Sequence, residues 1–249
     1  MDIIIGSARH DEKGRYSGGV VGDNLQTSEN DYKGEVSLQK FYVHSKGWNI
    51  LRANDVNLAN GLAFCMALAC ANKHIGYDQG NRLGAYTYGV LTEKDTEADC
   101  SGLVRACLKQ CGHDVPDFTT ANEASVLLDT LLFKRLIYKP GMEIYNGDIL
   151  VTRISKGHTA IVVSGNPRHS TKPSGTNPYT EPTENIKKGS KGEGVKWVQF
   201  ELNRKGANLI VDGEAGAKTD LAIRAYQKAY GLTADGIVGT KTRRSLKSK

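Results

Sequence analysis

One cysteine is set apart from the others by its neighbours. Cys100 opens the run Asp99-Cys100-Ser101-Gly102-Leu103-Val104-Arg105-Ala106-Cys107-Leu108-Lys109-Gln110-Cys111-Gly112. Leu103, Val104, Cys107, Leu108 and Cys111 follow at helical spacing, so they form one apolar stripe with Cys100 at its N-terminal end. Asp99 is placed to cap this helix and Gly112 to end it. A thiol in a first helical turn feels the positive end of the helix dipole and its unpaired amides, which favour the thiolate. The same amides can stabilise an oxyanion, so the expected chemistry is nucleophilic attack on a carbonyl. Cys65 and Cys70, within an Ala/Leu helix, and Cys107 and Cys111, on the stripe, read as inert packing residues.

Two further segments read as strands joined by a short turn: Asn146-Gly147-Asp148-Ile149-Leu150-Val151-Thr152, then Lys156-Gly157-His158-Thr159-Ala160-Ile161-Val162-Val163. Asp99-Cys100-Ser101-Gly102-Leu103-Val104 resembles the nucleophile motif of the NlpC-type cysteine peptidases, papain-like enzymes that cut peptidoglycan stem peptides. The two strands resemble that family's GD-strand-GH-strand pattern. The resemblance covers roughly residues 75 to 165. It implies a helix packed on an antiparallel sheet, Cys100 as nucleophile, and His158 as the base that takes its proton and returns it to the leaving amine. It also implies a third polar residue that orients the imidazole. His169, in Gly165-Asn166-Pro167-Arg168-His169-Ser170, falls near the expected spacing, but Pro167 and Arg168 stand where strand residues belong. Asn166, or a group from Ile3-Ile4-Ile5-Gly6-Ser7 if that strand completes the sheet, are the alternatives. Tyr77, in Ile75-Gly76-Tyr77-Asp78-Gln79, corresponds to a Gly-Tyr element that lines the family's site. With Asp99 and Ser101 it is expected on the substrate-binding side. His10, His44, His74 and His113 lack such a context and are expected at the surface.

These groups need a scaffold. Before residue 165, apolar-periodic segments alternate with short apolar runs, which indicates an α+β domain over 1–165. Residues 166–194 are rich in Pro, Gly, Ser, Thr, Asn and Lys and read as a linker. In 195–249, Asp212-Gly213-x-x-Gly216-x-x-Thr219 recurs 23 positions later as Asp235-Gly236-x-x-Gly239-x-x-Thr242. A repeat of that length suggests helix-turn units, with Thr219 placed to cap a helix carrying Leu221, Ala222, Ala225, Tyr226 and Ala229 on one stripe and closing at Gly231. Together with Trp197 and Phe200, these features resemble the three-helix peptidoglycan-binding domain found at the ends of wall hydrolases. Trp197, Phe200 and Tyr226 are expected in its core.

Hydrophobic residues make up 39% of the 249, enough for real cores. The longest apolar run, Leu62 to Ala71, is well short of the roughly 20 residues of a membrane span, so no membrane insertion is expected. Five cysteines without a CxxC pair argue against a disulfide framework and a thiolate zinc site, and there is no HxxH. No metal and no cofactor are expected. The formal charge of +6 suits a polyanion, either nucleic acid or the bacterial wall. The basic tail Lys241 to Lys249 has no recognition-helix pattern or base-stacking aromatics, which disfavours nucleic acid and leaves peptidoglycan as the expected partner of a monomer. The start, with Asp2 and a short apolar Ile3 to Ile5, lacks a secretory signal's pattern. Synthesis in the cytoplasm and action on the wall after release, as in a phage endolysin, are expected.

Overall fold

The computed structural model describes residues 2–11, 13–22, 34–154, 157–166, 176–205, 207 and 209–247. In chain order the elements are β1 (Ile4–Ala8), β2 (Val36–Lys40), β3 (Trp48–Ala53), α1 (Val56–Ala71), β4 (Ile75–Gly76), α2 (Gly84–Tyr88), β5 (Thr96–Glu97) and α3 (Cys100–Gln110). They continue with α4 (Glu123–Asp129), β6 (Phe133–Ile137), β7 (Ile149–Thr152), β8 (Thr159–Ser164), α5 (Glu193–Arg204), α6 (Ala217–Ala229) and α7 (Thr240–Lys247). The expected α+β class is observed: a six-stranded antiparallel sheet, ordered β2-β1-β8-β7-β3-β6, with helices packed on it. The N-terminal strand does complete the sheet, since β1 lies between β2 and β8 with Gly6 opposite Ile161. Among the described residues, no helix is long and apolar enough to cross a membrane.

Strand alternation divides the core. Ile161 and Val163 of β8 join the cluster beneath α1 and α3, whereas Ala160 and Val162 join Ile5, Trp48, Ile50, Ile144 and Leu150 on the opposite face. The turn before β7 is held by Asp148, whose two carboxylate oxygens accept from Arg52 at 2.9 and 2.7 Å.

Helix α1 starts where the Asp55 side chain accepts from the Asn57 and Leu58 amides. It is apolar on all sides, and a helix of that kind needs cover all round. The sheet and α3 cover two sides, and α6 of the C-terminal module covers another. Phe64 of α1 meets Tyr226 of α6 edge to face, with centroids 6.2 Å apart. The two units therefore share one hydrophobic core.

The module is a three-helix unit of α5, α6 and α7. In the segment read as linker, residues 167–175 lie outside the described residues. The part from 176 to 192 packs on the module: Ile186 is buried and bridges Val238, Tyr179 meets Phe200 edge to face, and Lys191 bridges Glu214. Its polar composition reflects an irregular path over a surface, which a flexible linker shares. Trp197 and Tyr226 are core residues as expected, and Phe200 is half-buried. Thr219 is not the cap of α6. It is the helix's third residue, behind Gly216, and its hydroxyl lies inside, against Gln199 and the Glu214 carbonyl.

Candidate functional site at the start of α3

The capping expected at Asp99 is present. Its Oδ1 accepts from the Gly102 amide at 2.6 Å and from the Ser101 hydroxyl at 3.0 Å, and Cys100 is the first helical residue. Gly102 is glycine because a side chain there would run into the Arg82 carbonyl and Asp99. Arg82 fastens this end from outside, reaching Asp99 at 3.0 Å, Ser101 at 3.3 Å and Asp117 at 2.8 Å. Arg105 also pairs with Asp117, at 3.3 Å. Asp99 and Ser101, expected on the substrate side, thus have their side chains committed to this scaffold, and Ser101 is buried.

Cys100 is only 9% exposed, and its sulfur faces the start of β8. Backbone amides of Thr159 and Ser101 bear on the sulfur and favour its charged form. Burial and the neighbouring Asp99 carboxylate oppose them and win, pushing the thiol up to about 12. The amides act in the direction that the dipole argument expects, and desolvation outweighs them. Of the other four cysteines, Cys65, Cys70 and Cys107 are buried and Cys111 is partly exposed beyond the end of α3, its sulfur 3.7 Å from that of Cys65.

His158 is the residue before Thr159, so the structure brings it to the same strand end as Cys100. Its amide donates to the Thr152 hydroxyl at 3.1 Å, which Gly157 permits because any side chain at 157 would overlap that hydroxyl. The ring lies by Trp48, centroids 6.4 Å apart, and burial pulls its pKa down to about 4, helped by His44 and Arg9. Among the described residues its Nε2 is buried and has no hydrogen-bond partner. Tyr42 spans the two groups: its ring packs on Trp48, and its phenol is raised first by burial and then by the Cys100 sulfur. Tyr77 is buried, and its phenol is likewise raised by burial and by Cys100 and Asp99 charge, which places it in this neighbourhood.

The third member is only partly accounted for. His169 lies outside the described residues. Asn166 sits past the far end of β8, about eight residues or roughly 26 Å of extended chain from His158, so it cannot orient the ring. Strand β1 does border the site: the Ser7 hydroxyl donates to the Thr159 carbonyl at 2.7 Å, and Arg9 acts on His158. His44, expected at the surface, is half-buried against Trp48 with ring centroids 5.2 Å apart. No local pattern in the sequence marks it. Glu123, the first residue of α4, is fully buried beside Thr159 and was equally unmarked, since an acid in a helix's first turn is ordinary. Among the described residues, no group of three or more His, Cys, Asp or Glu side chains is arranged to hold a metal.

The family model described as an endolysin-like domain matches residues 5–169, which takes in all of the sheet but Ile4 and both Cys100 and His158. The chain belongs to the endolysin-like domain family. A peptidoglycan binding domain model matches residues 191–246, the module behind the endolysin-like domain. A zinc D-Ala-D-Ala carboxypeptidase of Streptomyces albus G is 42% identical over 60 residues, 23% of this chain and 24% of that protein. The N-acetylmuramoyl-L-alanine amidase CwlM of Mycobacterium tuberculosis is 45% identical over 56 residues, 22% of this chain and 14% of its own length. This chain thus spans a quarter or less of these curated relatives. Of solved structures, the Burkholderia AP3 phage endolysin is 37% identical over 26% of this chain and 25% of that one, with a TM-score of 0.26. A peptidoglycan-binding protein from Clostridioides difficile is 27% identical over 45% and 74%, with a TM-score of 0.25.

Proposed function

We propose that the chain is a peptidoglycan hydrolase of the endolysin kind, in which Cys100 attacks an amide carbonyl of the wall's stem peptide and His158 carries the proton. The observation that carries this reading is the amide of Thr159 set on the Cys100 sulfur, with His158 the preceding residue. Burial favours the neutral thiol and the neutral imidazole, so the proton moves from sulfur to imidazole as the sulfur bonds to the carbonyl carbon. Amides at the start of α3 can hold the oxyanion. Collapse breaks the C–N bond, the imidazolium protonates the departing amine, and water then hydrolyses the thioester and restores the thiol.

Within this reading the endolysin-like domain is papain-like and related to the NlpC-type peptidases, and the favoured cut is an endopeptidase cleavage. A second reading is cleavage of the muramoyl-alanine bond by the same chemistry, the activity for which a relative matched over 56 residues is named. The module, approximately 195–249 with its approach from 166–194, holds the enzyme on the wall, where it acts after release, and Tyr77 lines the substrate side. Cys100→Ala and alkylation should each abolish turbidity loss of purified walls with the fold intact, while EDTA leaves it unchanged. Mass spectrometry of released muropeptides separates the two cuts. A fully lytic Cys100→Ala protein, or loss of activity with EDTA, overturns the thiol mechanism.

A further inference from the structure

Glu123 is completely buried. Its Oε1 meets the Thr159 hydroxyl at 2.8 Å, while Oε2, among the described residues, has no hydrogen-bond partner. A charged carboxylate left in that state would be costly, and a helix needs no buried acid at its first position. The group keeps its proton well past the ordinary range: burial, with a smaller contribution from Asp99, raises it to about 8.

Thr159 has three connections. Its hydroxyl meets Glu123, its amide meets the Cys100 sulfur, and its own peptide bond joins it to His158. We propose that Glu123 is a positioning residue for Cys100, holding Thr159 so that its amide stays set against the sulfur. The inference rests on Cys100 being the nucleophile. The groups facing Glu123 are Asp99 and Cys100 from the start of α3 and Thr159 from β8; among the described residues, β3 and β6, on which α4 packs, bring no charge that bears on it. An ionised Glu123 raises the Cys100 thiol, so loss of its proton opposes formation of the thiolate. The neutral acid is the working form.

The test uses the full chain with Glu123→Ala and Glu123→Gln, read by wall-lysis kinetics against pH and by the rate of iodoacetamide labelling of the Cys100 peptide in mass spectrometry. Glu123→Ala should lower kcat about tenfold or more with little change in KM, because Thr159 is left unheld. Glu123→Gln, a neutral group of the same shape, should restore most of that loss. The wild type should lose activity above about pH 8, and Glu123→Gln should not. Labelling of Cys100 should climb more steeply above that pH in Glu123→Gln than in the wild type. Superimposable pH profiles for the wild type and Glu123→Gln would overturn the proposal. So would a folded Glu123→Ala with undiminished kcat, or a folded Glu123→Gln as slow as Glu123→Ala. If Cys100→Ala stays lytic, the nucleophile reading falls instead, and the labelling comparison still reports what Glu123 does to the thiol.

Discussion

At the scale of single residues, burial shifts the titration of Glu123 up and that of His158 down, and this has a consequence for stability. Glu123 holds its proton up to about 8 against an ordinary 4.5, so between those values the folded chain binds a proton that the unfolded chain has lost. Stability falls as pH rises through that window. His158 titrates at about 4 against an ordinary 6.5, so between those values the unfolded chain binds the extra proton and stability rises with pH. The two slopes oppose each other from 4.5 to 6.5, and only that of Glu123 remains from 6.5 to 8. Over that interval the protein should lose about 2 kcal/mol, or roughly 4–8 °C in Tm. Glu123→Gln should remove the decline. Calorimetry at pH 6.5 and 8 checks it, and a wild-type Tm that holds steady while the variant's drops would contradict the assignment.

At the scale of elements, what the sequence discloses is what local spacing controls. The cap at Asp99, the stripe of α3 and the antiparallel pair β7 and β8 are all readable, because each depends on residues a few positions apart. Glu123, His44 and Arg82 are not, since their partners come from distant elements and their local contexts are unexceptional. The module's repeat is readable as a pattern but not in its chemistry. Gln199 on α5 donates to Asp212 at 2.8 Å and to Thr219 at 3.3 Å, while its Oε1 accepts from the Gly213 amide at 3.0 Å. Gln227 on α6 does the same for Asp235, Thr242 and Gly236, at 2.8, 3.3 and 2.9 Å. Each buried glutamine clasps the next Asp-Gly turn and the helix after it, so the threonine is an internal partner where the sequence pattern points to a cap. Gln199→Ala and Gln227→Ala should each destabilise the protein by about 2 kcal/mol, because turn amides and carboxylates are left unpaired. Urea unfolding measures this, and a loss below about 0.5 kcal/mol for both would show that the clasps contribute little.

At the scale of the whole molecule, the feature that decides behaviour is the apolar circumference of α1. Leu62, Phe64, Met66 and Leu68 are all buried, and no single neighbour could bury them together. Because α6 supplies one of the covering surfaces, with Tyr226 on Phe64, and the Gln110 side chain of α3 reaches the Ala207 carbonyl at 3.4 Å, the C-terminal module is part of the endolysin-like domain's own core. On the proposed function, binding to the wall and integrity of the site are then coupled through packing. Removing residues 176–249 should uncover a contiguous apolar patch on α1, and patches of that kind drive self-association. The truncated chain should therefore aggregate or lose activity even on small soluble muropeptides, for which attachment to a wall is irrelevant. A milder version, Tyr226→Ala in the full chain, should cost about 3–5 kcal/mol through the cavity it leaves. If the role of the module were attachment alone, the truncated chain would stay monomeric by light scattering and cut soluble muropeptides at the full rate while losing only its action on intact walls. That result would refute the shared core as a functional necessity, whereas aggregation with parallel loss of both activities is the outcome the packing of α1 requires.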